Sequence, residues 1–146
     1  MLNQSQRRTA ASTAADYFGN GYHCAEAVAT AALEALGIDP TEAAAHGTAF
    51  GGGVGRTFGE LCGALSGGLI VIGHLYGRRE PSEDWDHPAA LGASLRQRFF
   101  QQFGTSHCGA LRERFGTEKQ MSECRKVVNT ITDTLLQIIV ENQKER

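Results

Sequence analysis

The sequence predicts an all-α protein, a compact single-domain bundle of six or seven helices with no sheet. Three observations carry that expectation. No segment alternates apolar and polar residues with the period of a strand. Apolar residues recur at steps of three and four, as in Cys124, Val128, Ile131, Leu135 and Ile138. Glycines, prolines and helix-capping residues punctuate the chain at helix-length intervals, and no linker is long enough to divide 1–146 into two domains.

The elements follow in order. An Ala-rich segment from Gln4 to Phe18 predicts an N-terminal helix within residues 1–20, stopped by Gly19-Asn20-Gly21. Cys24 to Leu36 reads as a second helix, with a polar stripe at Glu26, Thr30 and Glu34 and a stop at Gly37. Asp39-Pro40 caps a short third helix reaching His46. Phe50-Gly51-Gly52-Gly53-Val54-Gly55 must be a loop. Thr57-Phe58-Gly59-Glu60 matches a capping box and predicts a helix over 58–76, ended by Gly77.

Arg78 to His87 is a polar loop carrying the only tryptophan, Trp85. Pro88 to Phe103 predicts another helix, and His107 to Phe115 a short one, stopped by Gly104 and Gly116 respectively. Thr117-Glu118-Lys119-Gln120 is a second capping-box match, opening a C-terminal helix within 117–146. Its seam from Cys124 to Ile138 suits either the inside of the bundle or the face of a homodimer.

Composition narrows the function. The 146 residues carry a net charge of -2 with scattered arginines, which gives no electrostatic footprint for nucleic acid. The longest apolar run, Leu61 to Leu75, is short and interrupted by glycines, Ser66 and His74, so no membrane span is expected. The N-terminus has no continuous apolar stretch, so no secretory signal is expected either, and the cytoplasm is the expected location. Stable structural disulfides are unusual there, so the four cysteines call for another account.

Cys24, Cys62, Cys108 and Cys124 stand alone, separated by 38, 46 and 16 positions. Zinc ribbons and thioredoxin-type dithiols both use close pairs. Placement is more telling: Cys24 and Cys108 fall in the first turn of their expected helices, Cys62 and Cys124 in the second. A helix N-terminus favours thiolate, the form that attacks and the form that ligates metal. Cys62-Gly63-Ala64-Leu65 recurs as Cys108-Gly109-Ala110-Leu111. A small residue after the cysteine lets another backbone or an inorganic cluster approach the sulfur. Against this stands the plain alternative that free cysteine often serves as a small buried hydrophobe.

One early cysteine, a central Cys62-Gly63-Ala64-Leu65-Ser66-Gly67 and two later cysteines resemble the C-GCAxxG-C-C family of redox-active proteins. Here Leu61 precedes Cys62 and Gly63 follows it, where the family pattern places Gly before Cys. The resemblance implies a redox role. With no Cys-x-x-Cys-His, covalent haem is not expected.

Gly59, Gly63 and Gly67 recur every four residues, a spacing that allows close helix crossing, or the approach of a cofactor beside Cys62. His23 and His107 each precede a cysteine and could serve a thiolate as acid–base partner or replace a cysteine as ligand; the alternative is capping. Gly51-Gly52-Gly53-Val54-Gly55-Arg56 lacks the Lys-Ser/Thr of a phosphate loop, and Arg56 would be the contact if an anion bound.

The leading expectation is an electron-transfer protein whose four thiolates ligate an iron–sulfur cluster and exchange electrons with a redox partner protein. Zinc on the same four thiolates is a variant. A thiol–disulfide oxidoreductase with a cycling cysteine pair and a non-enzymatic helical interaction module with buried cysteines are the rivals.

Overall fold

The structure, a computed structural model, describes residues 1–144. Among them, seven α-helices run in chain order: α1 Gln4–Tyr17, α2 Cys24–Ala35, α3 Thr41–Gly47, α4 Gly63–Tyr76, α5 Asp86–Phe103, α6 Cys108–Phe115 and α7 Gln120–Lys144. The described residues contain no strand, only two isolated bridges, Phe18 with Tyr22 and Leu61 with His107. Glu145 and Arg146, the end of the 117–146 segment expected to hold the C-terminal helix, lie outside the described residues.

α2 is the central helix. Ala25 and every residue from Ala27 to Leu33 are buried, because α1, α4 and α7 pack around it. Its alanines let neighbours come close. A Cβ on Gly67 of α4 would lie 2.5 Å from the Ala25 carbonyl oxygen, and one on Gly68 only 2.6 Å from Leu95 of α5. The glycine stripe is therefore a packing face, as its spacing predicts, but it begins at Gly63; Gly59 lies outside the helix. The α7 seam is filled from within the chain: Val128, Ile131, Leu135 and Ile138 are all buried in one core with Leu33, Leu65 and Phe99. Each such side chain contributes about 1.5–3 kcal/mol when fully withdrawn from water.

Local signals set the helix ends. Asn3 and Gln6 exchange hydrogen bonds with each other's backbone N–H, at 2.8 and 2.9 Å, closing a capping box on α1. α7 starts at Gln120, three residues past Thr117, since 117–119 form a turn.

The largest departure from expectation is at α4. Its start at Phe58 is overturned: the helix begins at Gly63, and the Thr57–Glu60 capping box does not form. Thr57 Oγ1 instead donates to the carbonyls of Val54 and Gly53, at 2.8 and 3.0 Å. Residues 52–56 all have φ between +61° and +71°, and Phe58 has +58°. Such a left-handed run cannot feed a right-handed helix. The chain passes instead as a strap over residues 51–62 and pairs with the segment before α6. Cys62 N–H donates to Ser106 O at 2.7 Å, Cys108 N–H to Glu60 O at 2.9 Å, and Gly109 N–H to Phe58 O at 2.7 Å. Partners far along the chain satisfy these donors, a pairing that no local pattern announces.

Candidate functional site

Three cysteines sit at helix starts that the fold brings together. Cys24 is the first residue of α2 and Cys108 the first of α6, while Cys62 is the N-cap of α4, one turn earlier than the sequence suggests. Cys124 lies in the second turn of α7, as expected. All four are free thiols and all four line one cavity of about 800 Å³. That is within the usual size of a small-molecule or cofactor site, roughly 300–1,000 Å³. Its walls are mostly apolar, with Phe18, Phe58, Leu111, Phe115 and Val128 among them.

Glycines bring backbone up to the sulfurs. Gly63 faces the Cys24 thiol so closely that a Cβ there would overlap Sγ. On the strap, a Cβ at Gly53 would lie 2.5 Å from Cys108 Cβ, and one at Gly51 2.7 Å from the His23 ring. The repeated Cys-Gly-Ala-Leu thus has a structural reading. Each copy opens a helix beside the strap, and each glycine faces a neighbouring segment. Gly63 faces the Cys24 thiol, and a Cβ on Gly109 would lie 2.7 Å from the Phe58 carbonyl oxygen.

The thiols share one electrostatic environment. Burial pushes the Cys62 thiol up to about 12; the Ala64 and Leu65 N–H groups pull the other way, and Cys24 and Cys108 add to the rise. Cys108 is raised by burial first and then by Cys24 and Cys124, with Arg112 opposing. Cys124 is raised by burial and by Cys24, against a 3.5 Å hydrogen bond from Gln120 and the charge of Arg112. Cys24 thus acts on all three of the others. At Cys108 the shift runs opposite to the expected helix-start thiolate, with desolvation as its largest cause.

The two histidines differ. His107 Nδ1 accepts from Ala110 N–H at 3.0 Å, so Nε2 carries the proton and donates to Gly59 O at 2.9 Å. Both nitrogens are spent on capping α6 and tying it to the strap. The His23 ring lies against Gly51; its nitrogens are shielded from solvent and form no hydrogen bond among the described residues, though Nε2 is 3.2 Å from Glu26 Oε1. Glu26 in turn accepts from Thr48 Oγ1 at 2.7 Å. Arg56 is exposed on the strap and lines the cavity, whereas Gly67 packs against α2.

Two contributions escape local sequence reading. One is the strap's left-handed run, for which the glycines at 51, 52, 53 and 55 are the visible trace. The other is Arg112, four residues after Cys108 and so on the same face of α6, which reaches the cavity with its guanidinium 3.8 Å over the Phe58 ring.

Among the described residues, no three His, Cys, Asp or Glu side chains are already arranged to grip a single metal ion. Among the described residues, no helix is long and apolar enough to cross a membrane. A protein-family model described as "Putative redox-active protein (C_GCAxxG_C_C)" matches residues 22–138, the span that contains all four cysteines. No curated protein and no solved structure matches the chain.

Proposed function

Since the chain belongs to the C_GCAxxG_C_C family of redox-active proteins, we propose that Cys24, Cys62, Cys108 and Cys124 together hold an iron–sulfur cluster in the cavity they line. The observation that carries this reading is their convergence. Residues dispersed from the start of α2 to the second turn of α7 meet in one apolar cavity.

The donor set fits the group. Four soft thiolates suit iron–sulfur clusters, and the apolar walls limit water around such a centre. A single tetrahedral zinc, with Zn–S bonds of ~2.3 Å, needs sulfurs about 3.8 Å apart. A cluster spreads its thiolates over more than one iron, so it takes sulfurs that stand further apart than those of a zinc site. Three of the thiols have raised pKa values and are protonated at neutral pH in the metal-free chain. Coordination removes those protons, so loading depends on pH.

When bound, a cluster supplies a one-electron couple, exchanged with a redox partner protein. The chain's own residues hold and shield it. Gly63 leaves room for the Cys24 sulfur, Gly67 seats α4 on α2, and His107 ties the strap to α6 beside Cys62 and Cys108. Four free cysteines fit a reducing compartment such as the cytoplasm.

One observation favours a second reading. The Cys24 thiol lies against Gly63, the residue next to Cys62, which makes Cys24 and Cys62 candidates for a cycling disulfide pair. The pair would give two electrons and two protons to an oxidised partner as the S–S bond forms. Anaerobic reconstitution with ferrous iron and sulfide separates the readings. A brown chromophore that bleaches reversibly on reduction supports the cluster. A colourless protein that gains a Cys24–Cys62 disulfide under mild oxidant supports the second reading.

A further inference from the structure

We infer that Arg112 is the counter-cation of the cysteine site, placed to balance the charge that Cys108 and Cys124 acquire as ligands and thereby to set the potential of the centre. This rests on the four-cysteine reading above and assigns the site a residue outside its sulfur set.

Four observations carry the inference. Arg112 follows Cys108 by one helical turn, so both project from one face of α6 into the cavity. Its guanidinium is held 3.8 Å over the Phe58 ring, on the strap that also pairs with the α6 N-terminus. The side chain is half-buried, and among the described residues no carboxylate lies within ion-pair distance of it. Two carboxylates beside the site have other partners. Glu26, which lines the cavity, contacts His23 and Thr48, and Glu123, next to Cys124, pairs with Lys126 at 3.1 Å.

A guanidinium partly withdrawn from water without a counter-ion is costly. In the metal-free chain its compensation is the face of Phe58. Each thiol that becomes a ligand releases a proton to solvent and leaves a negative charge on sulfur. Reduction adds a further electron to a centre that is already anionic, so a fixed cation beside it favours the reduced form.

The test is the midpoint potential of the reconstituted protein, by anaerobic spectroelectrochemistry, for wild type, Arg112→Gln and Arg112→Lys. Arg96→Gln serves as control, because Arg96 lies 4.5 Å over Phe100 on α5, a comparable cation–ring contact that does not line the cavity. The expected result is a tenfold shift against reduction in Arg112→Gln, about 59 mV for one electron. Arg112→Lys should recover part of it, and Arg96→Gln should match wild type. An unshifted Arg112→Gln protein, or a shift that Lys does not relieve, overturns the inference and leaves the cluster standing. If Gln prevents assembly and Lys permits it, the charge is required and the inference holds; if both prevent it, the role is structural and the inference fails. A wild-type chain that assembles no cluster overturns the inference together with the reading beneath it.

Discussion

Gly63 and Cys24 touch where a side chain would ordinarily stand: the first residue of α4 presents its bare Cα face to the Cys24 sulfur. One contact thereby joins the starts of α2 and α4 and brings the cysteine that opens one helix beside the cysteine that caps the other. Gly63→Ala must displace the sulfur or part the helices. It should cost about 1–3 kcal/mol, the usual penalty for overpacking, and should also slow cluster assembly. Gly73→Ala is the matched control. Gly73 is exposed on the same helix, with nothing within 4 Å of where an added methyl would stand. This change should therefore stabilise the protein by about 1 kcal/mol. Urea unfolding of both variants checks the pair.

The strap stores strain at a position that can be relieved. Val54 is a β-branched residue at φ +71°, 40% exposed. A left-handed backbone costs such a residue roughly 1–2 kcal/mol, which glycine avoids. Val54→Gly should therefore stabilise the protein by about 1 kcal/mol despite the greater freedom of its unfolded chain. Equal or lower stability in thermal unfolding would contradict the left-handed assignment.

His107 offers a test of how α6 is anchored. His107→Ala removes the acceptor for Ala110 N–H and the donor to Gly59 O, and should cost about 1–2 kcal/mol. His107→Asn restores a capping acceptor but not the reach to Gly59, so it should recover part of the loss. The same unfolding measurement reads both.

Stability should fall with pH in the metal-free protein. The Cys62 thiol is raised from 9.0 to about 12 in the folded state, so between those values the unfolded chain binds fewer protons than the folded one. The stability present below pH ~9 is then lost as pH rises towards 12, at up to about 1.4 kcal/mol per pH unit for this thiol. Cys62→Ala should flatten that dependence. An equal slope in wild type and variant would place the titration elsewhere.

Much of the fold is legible in the sequence because its signals are local. Gly37, Gly104 and Gly116 end helices where glycine permits the turn, and the four-and-three spacing of α7 marks a seam that the structure buries inside the bundle. The helix starts at Cys24 and Cys108 follow from the same punctuation. Cys62 does not, because Thr57 and Glu60 mimic a capping box while the true start depends on the left-handed run before it and on a hydrogen bond to Ser106. Convergence of the four cysteines is likewise a tertiary fact. Periodicity could place each near a helix start, yet only the packing of α2, α4, α6 and α7 brings them to one cavity.

The most direct test of the central claim is the iron and acid-labile sulfide content per chain after anaerobic reconstitution, in wild type and in the four single Cys→Ala variants. The account predicts iron and sulfide in equal amounts in wild type and their loss from each of the four variants. Wild type without bound iron, or iron retained when Cys24, Cys62, Cys108 and Cys124 are removed one at a time, would contradict it.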